Sequence, residues 1–228
     1  MGTSSADTAR YDRFVADLFG VMAYGELSAF ERLSSDARYS PTLHDRAVLG
    51  RIAVIEFQHY ELVSERLAGM GVDVEDAMLP FQAAVDHFHE RTRPADWYES
   101  LMKAYVVDTV SADFYQAVAR YVDAGTRELI QQIQSSEEAT AVLRERLRVA
   151  LADDPRLASR LALWGRRLLG EALTQAQRVG YEHAFLTELI TEADSGADDA
   201  AARERVRSLT SELAENHSRR MVQLGLSG

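Results

Sequence analysis

Cysteine is absent from the 228 residues of the chain. Disulfides and thiolate metal sites are therefore excluded, so histidine and carboxylate side chains must hold any metal, which favours iron or manganese over a structural zinc. No apolar run approaches the roughly 20 residues that a membrane-spanning helix needs, and the first ten residues lack the basic-then-apolar order of a signal peptide. We therefore expect a cytoplasmic protein without a membrane partner.

Proline and glycine are also scarce, with four prolines and 13 glycines, which leaves room for long uninterrupted helices. Apolar residues recur with the helical period of about 3.6 rather than in alternation, and no segment reads as a convincing strand. Hydrophobic residues make up 46% of the chain and charged residues 27%, as in an ordinary globular protein. We predict one all-α domain over residues 1–228.

Positive charge is in the minority, with 25 basic against 36 acidic residues and a net charge of −11. This balance opposes non-specific binding of nucleic acid, although a local patch could still provide it. Lys103 is the sole lysine. A basic stretch from Arg144 to Arg178 holds eight arginines against four acidic residues, a local excess of four positive charges.

The helical pattern predicts a four-helix core over about 7–152, followed by two additional C-terminal helices over about 155–225. The first two helices, joined by a short connection at Ser40 and Pro41, should be antiparallel neighbours. A longer link with partial helical character, over 72–94, would supply one crossover between the second and third core helices. The six predicted helices cover about 7–37, 43–68, 95–122, the stretch after the turn at 123–126 up to 152, 155–193 and 201–224.

One stretch of the second helix places ionisable groups on an apolar face. Ile52, Glu56, His59 and Val63 fall at i, i+4, i+7 and i+11, so they share one side of a helix. Glu-x-x-His on an inward face is the unit that di-iron carboxylate bundles use, together with single carboxylates from neighbouring helices. The motif alone is also compatible with a partly exposed Glu–His pair.

Three more carboxylates each interrupt an apolar stripe: Glu26 on the first helix, Asp108 on the third and Glu137 on the fourth. Glu137 and Thr140 repeat the i, i+3 spacing of the Glu-x-x-His pair, but without the histidine. Four converging carboxylates would repel one another unless cations neutralised them, and two divalent metals would cancel their charge. The alternative is a network of arginine-paired carboxylates, which is disfavoured because none of the four stripes carries an inward arginine.

Several other residues were candidates for the same site. Asp113 is a rival carboxylate on what reads as a more polar face. His87 and His89 are either ligands or, in the favoured interpretation, residues of a solvent-facing turn. His183 or His217 could replace the missing second histidine, although surface positions are favoured for both. Three tyrosines flank ligand candidates on their own helices and could support them: Tyr24, Tyr105 and Tyr115.

Three sequence words carry a resemblance to a known family: AYGEL at 23–27, EFQH at 56–59 and LALWGRRLLGEALTQAQ at 161–177. The chain resembles a ferritin-like family of actinobacteria, which is similar in its four core helices to the tRNA methylthio-isopentenyl-adenosine hydroxylase. The resemblance implies a ferritin-like four-helix bundle with one long crossover, and a non-haem di-iron centre that activates O₂ with electrons from a separate reductase. The ligand positions that it implies are Glu26, Glu56, His59, Asp108 and Glu137.

Thr140 departs from the family pattern, because it stands where the second histidine belongs and a hydroxyl is a poor neutral ligand for Fe(II). Two irons are expected, with one or none as the consequence of this change. The resemblance implies an O₂-dependent hydroxylase, with a modified tRNA nucleoside as a candidate substrate. The alternatives are an iron- or peroxide-handling protein and a helical scaffold without catalysis. A homo-oligomer is left open.

Overall fold

A computed structural model of the chain describes residues 5–134, 137–152, 154–182 and 199–226. Every regular element in these ranges is helical, which confirms the all-α prediction. None of the helices in this part of the chain is long and apolar enough to cross a membrane. The α-helices are α1 Ser5–Asp36, α2 Leu43–Gly69, α3 Val74–Arg91, α4 Trp97–Val118, α5 Ala124–Ile133, α6 Glu137–Leu151, α7 Pro155–Glu182 and α8 Asp199–Gln223.

The described residues form two compact units. The first unit contains residues 5–87 and 178–182, so it holds α1, α2 and most of α3. The second contains the described residues within 88–177 and 199–226, and therefore α4, α5, α6, most of α7 and α8. The single domain expected from the sequence stays a prediction.

In the first unit α1 and α2 pack along their length as antiparallel neighbours, as the short connection predicted. Phe30 of α1 lies against Phe57 of α2, with ring centroids 5.0 Å apart, and Glu26 of α1 meets His59 further along α2. The Thr42 side chain begins α2 by accepting a hydrogen bond from the backbone N–H of Asp45. The fully buried core residues of this pair include Phe14, Leu18, Phe19, Met22, Leu49, Val63 and Leu67.

Gly20 allows α3 to approach α1 closely. A Cβ atom added at this position would lie 2.1 Å from the backbone oxygen of Ala77 and 3.2 Å from the ring of Phe81. Both of those residues are buried, at 8% and 0% exposure. Hydrogen as a side chain is therefore what lets the two helix backbones meet here.

The link predicted between the second and third core helices is more regular than its sequence indicated, because α3 continues to Arg91 with Pro80 in its interior. A proline there removes one backbone hydrogen bond, and the neighbouring residues Ala77 and Phe81 are buried. The favoured reading of His89 as solvent-facing was wrong, since it lies within the helix and is only 8% exposed. His87 is half-buried.

In the second unit α4 is the helix on which the others pack. Its buried face includes Leu101, Met102, Tyr105, Val106 and Val110, and contacts join it to α5, α6 and α8. The indole N–H of Trp164 on α7 donates to the backbone oxygen of Glu99, at 3.0 Å. The sole lysine is buried on the same helix, with its ammonium 5.4 Å from the ring centroid of Phe88.

The single helix predicted after the turn at 123–126 was wrong. The turn residues Asp123 and Thr126 form the start of α5, which ends at Ile133, and α6 begins separately at Glu137. Two serines follow Gln134 in the sequence, and serine favours helix ends because its hydroxyl competes for backbone hydrogen bonds. The stripe that was predicted to run from Leu129 to Leu151 is therefore divided between two helices.

The two C-terminal helices were placed correctly at their start. Pro155 is the first residue of α7, where its missing N–H is tolerated, and the Asp154 carboxylate accepts the backbone N–H of Leu157 at 2.9 Å. The predicted continuation of α7 to residue 193 lies outside the described residues, as does His183. The last predicted helix corresponds to α8.

Candidate metal centre

Glu26, Glu56 and His59 form one group of potential metal ligands in the first unit. One ligand atom from each side chain lies within 4.8 Å of the others. The imidazole Nδ1 is 3.6 Å from a carboxylate oxygen of Glu26 and 3.7 Å from one of Glu56. The side chains are mostly buried, with 11% of Glu26, 15% of Glu56 and 12% of His59 exposed. The group is thus compact and largely shielded from water.

The helical period and the antiparallel pairing explain how these side chains meet. Glu56 and His59 are separated by three residues on α2, which puts them on one face. Ile52 and Val63 on the same face are buried, as the sequence predicted, and turn that face toward α1. Glu26 lies one turn after Met22 on the buried stripe of α1. Its carboxylate therefore lies beside His59 of α2.

The charges in this group are not balanced. Burial and the nearby Glu56 carboxylate raise the pKa of Glu26 to about 8, and His59 only partly offsets them. Burial opposes ionisation of Glu56 as well, but hydrogen bonding to His59 and Glu26 holds its pKa below the usual value. Burial disfavours the imidazolium, but the two carboxylates outweigh that effect and raise the pKa of His59 to about 9. Without a metal, Glu26 therefore keeps a proton near neutral pH.

The donor set fits a divalent first-row metal. Two carboxylates and one imidazole provide the oxygen and nitrogen ligands that iron and manganese accept. Metal bonds of about 2.0–2.2 Å put two ligand atoms at angles of 90–120° roughly 3.0–3.7 Å apart. The observed separations of 3.6 and 3.7 Å from His59 are at the upper end of that range. A metal would also supply the positive charge that lets Glu26 ionise.

Asp108 is placed in the second unit, where it is half-buried on α4. The hydroxyl of Thr140 on α6 donates a hydrogen bond of 2.5 Å to its Oδ2 atom. The threonine that replaces the second histidine of the family pattern thus binds this carboxylate directly. The ligand role of Asp108 stays a prediction.

Asp113 was expected on a more polar face, and its own side chain is largely buried against a base. Its side chain is only 11% exposed, and both of its oxygens accept hydrogen bonds of 2.6 Å from the guanidinium of Arg220 on α8. The charge of Arg220 also acts on Tyr105 and Asp108. No inward arginine was visible on the core stripes because this one comes from a C-terminal helix more than 100 residues away in sequence.

Two further candidates can be reported. Glu137 is the first residue of α6, but the structure does not describe its side chain. Its ligand role therefore stays a prediction. His217 was favoured as a surface residue, and that was wrong: it is 3% exposed, on a buried stripe of α8 with Leu213 and Met221. Burial, together with nearby Arg220, lowers the pKa of His217.

The three tyrosines proposed to support the ligands lie in different surroundings. The hydroxyl of Tyr24 donates to Asp86 on α3 at 2.8 Å, and burial and that carboxylate raise the pKa of Tyr24. Tyr105 is buried beside Asp108 on α4, and burial raises its pKa. Tyr115 is also buried, with its ring against that of Phe114.

A family model described as a ferritin-like domain of actinomycetes matches residues 9–193. The chain belongs to this family. The match covers most of the sequence, from the first turns of α1 to the residues beyond α7. Together with the all-helical structure, it confirms the predicted ferritin-like fold.

The fold has a solved counterpart at low sequence identity. A protein from Synechococcus with aldehyde deformylating oxidase activity superposes with a TM-score of 0.65 and 19% identity, covering 95% of this chain and 96% of that one. At this identity the likeness shows a shared fold. No curated protein sequence matches the chain, so the more specific resemblance to the tRNA hydroxylase is not supported.

Proposed function

We propose that this ferritin-like protein is a non-haem iron protein that uses O₂ to oxidise a bound substrate. The observation that carries the proposal is the buried group of Glu26, Glu56 and His59, whose ligand atoms lie within 4.8 Å of one another. Family membership and the fold shared with an aldehyde deformylating oxidase support it. Iron bound at this group would supply the capacity to react with O₂ and to accept electrons.

The three side chains have separable roles. The carboxylates of Glu26 and Glu56 provide two negative charges for a divalent cation, and the imidazole of His59 provides a neutral nitrogen. Glu26 must release the proton that burial favours, and His59 must also be neutral, so metal binding releases protons. The low exposure of the side chains limits the access of bulk water and strengthens electrostatic interactions within the group.

Asp108 and Glu137 complete the set of five ligands that the sequence predicts for two irons. The described group of three residues accounts for one metal, and Thr140 adds no nitrogen ligand. Metal stoichiometry therefore distinguishes the two forms of the proposal. Near two irons per chain would support a dinuclear centre, and near one would support a mononuclear centre at Glu26, Glu56 and His59.

The test is metal analysis of protein reconstituted with Fe(II) without oxygen and then freed of unbound iron. We expect at least one iron per chain, and we expect His59→Ala and Glu56→Gln to lose it. Glu61→Gln is the matched control, because Glu61 is an exposed carboxylate on the same helix. Wild-type protein without iron, or ligand variants that retain the full amount, would refute the proposal.

Turnover separates the enzyme from a protein that only handles iron. An oxidase with a reductase partner would consume O₂ continuously while reductant and substrate last, whereas simple Fe(II) oxidation stops when the added iron is used. Hydroxylation of a tRNA nucleoside is the most specific form of the proposal. Its support is weaker in the folded chain, because two of the arginines in the basic stretch pair with acids, Arg148 with Glu145 and Arg160 with Asp96. Binding of tRNA that is independent of salt would argue against this substrate.

A further inference from the structure

A pocket of about 520 Å³ opens in the first unit, with walls from α1, α2 and the beginning of α3. Its lining does not include Glu26, Glu56 or His59. Tyr24 contributes from α1 and Tyr60 from α2, and the remaining lining residues lie between 73 and 82. The pocket therefore shares no lining residue with the candidate metal ligands, and its ligand preference follows from other side chains.

The size and the apolar part of the lining indicate an organic ligand. Val74, Met78 and Leu79 face the pocket together with the rings of Tyr24 and Tyr60. The volume lies within the range of about 300–1,000 Å³ that small-molecule sites have. The pocket is open to solvent, since Asp73, Glu75, Leu79 and Gln82 in its lining are exposed.

The charged part of the lining has one sign. Asp73 and Glu75 border the pocket, and Gln82 is the remaining polar residue. Among the described residues of the lining there is no arginine, lysine or histidine. An anionic ligand would meet two carboxylates without a basic partner, whereas a cation would be attracted.

The tyrosines reinforce this preference. The Tyr24 hydroxyl donates to the Asp86 carboxylate, which holds the side chain in place. The ring of Tyr60 lies against that of Phe57, with centroids 5.6 Å apart. Aromatic faces attract cations, and paired aromatic residues with carboxylates are suited to ammonium groups.

We propose that this pocket binds an organic cation, an ammonium group carried on an apolar body. The ammonium would lie near Asp73, Glu75 and the tyrosine rings, and the apolar body against the aliphatic side chains. The inference goes beyond the proposed iron chemistry and does not depend on it. A carboxylate, a phosphate ester or a nucleotide is the wrong charge for the pocket.

The experiment compares three probes of equal chain length on metal-free protein in the presence of a chelator. Isothermal titration calorimetry near pH 7 would measure binding of hexylammonium, 1-hexanol and hexanoate. We expect hexylammonium to bind about tenfold more tightly than hexanol, which corresponds to one charge-assisted contact of about 1.4 kcal/mol, and hexanoate to bind more weakly than either. Equal binding of the cation and the alcohol, or no binding of the cation, would overturn the proposal.

Variants locate the binding within the pocket. The double substitution Asp73→Asn with Glu75→Gln should raise the Kd of hexylammonium by about tenfold, while Asn retains the cap that Asp73 gives to the N–H of Asp76. The matched control is Asp76→Asn, which removes one charge from the same turn of α3 at an exposed position outside the lining.

The aromatic contribution is tested by Tyr60→Leu, which should weaken hexylammonium by about threefold or more, and by Tyr60→Phe, which keeps the ring and should not. Thermal unfolding checks that each variant is folded. The same Kd in metal-free and iron-loaded protein would support a pocket independent of the metal centre. An equal loss in the Asp76→Asn control would refute the assignment.

Discussion

Stability of the metal-free protein should depend on pH in a way that exposes the charge imbalance at Glu26. Its pKa is raised from 4.5 to about 8 in the folded chain, and that of His59 from 6.5 to about 9. Between the unfolded and folded values each group holds its proton in the folded state and has lost it in the unfolded state. The folded state binds more protons, so stability falls as the pH rises.

The size of the effect follows from these shifts. Each group contributes a slope of up to about 1.4 kcal/mol per pH unit while its two pKa values bracket the pH. Glu26 acts from about pH 4.5 to 8 and His59 from about pH 6.5 to 9. Both side chains are close to nine-tenths buried, so solvent screening reduces the effect little. We expect metal-free protein to lose several kcal/mol of stability between pH 5 and 9.

Urea unfolding in the presence of a chelator, repeated across this pH range, would measure the loss. Glu26→Gln should remove the contribution of Glu26, which acts without His59 between about pH 5 and 6.5, because the amide does not titrate, and Glu61→Gln should leave the slope unchanged. A divalent metal should reverse the trend, since it competes with protons and stabilises most where Glu26 and His59 are deprotonated. An equal slope in the wild type and Glu26→Gln would refute the reasoning about this carboxylate.

Further substitutions test packing and polar contacts within each of the two units by urea unfolding. Gly20→Ala should destabilise by about 3 kcal/mol or more, because its Cβ would lie 2.1 Å from a backbone oxygen of α3; Gly50→Ala, with no atom within 4 Å, should be neutral or stabilising by up to about 1 kcal/mol. Arg220→Leu should lower the free energy of unfolding by about 2 kcal/mol because it leaves Asp113 unpaired, a smaller loss than for a fully buried ion pair. Adding Asp113→Asn to this variant should recover part of the lost stability. Thr140→Val should cost about 1 kcal/mol through the lost hydroxyl donor. A Gly20→Ala variant as stable as Gly50→Ala would contradict the close approach of the two helices. Effects of Arg220→Leu and Asp113→Asn that simply add in the double variant would contradict the pairing of these two residues.

Local periodicity was sufficient to predict the α1–α2 pair of the first unit. The stripe through Phe14, Leu18 and Met22 and the second stripe through Ile52 and Val63 are buried as predicted. Because a short connection fixed the two helices as antiparallel neighbours, the sequence could also predict that Glu26 and the Glu-x-x-His pair would come together. These features depend on contacts within one helix or between adjacent helices.

Features that depend on distant contacts were not predictable. Arg220 pairs with a carboxylate 107 residues earlier, and no local pattern shows which face of α4 receives α8. His89 and His217 are buried although histidine is ordinary on a surface, since the packing of neighbouring helices decides their exposure. The break after Ile133 was missed because the apolar period continues through it, and the two serines were the only available signal.

The distribution of cationic partners gives the physical reason to place a metal at Glu26 and Glu56. Asp113 has a guanidinium in bidentate contact, and Asp108 has a hydroxyl donor together with the field of Arg220, so both carboxylates have internal partners. In the first unit, the described structure gives Glu26 and Glu56 a single shared base, His59, which can neutralise one charge. The remaining charge is removed either by the proton that the raised pKa of Glu26 implies or by a cation from solution. A divalent metal does this with one ion and frees the imidazole nitrogen for ligation, so competition between protons and metal at these residues follows from the charge balance alone.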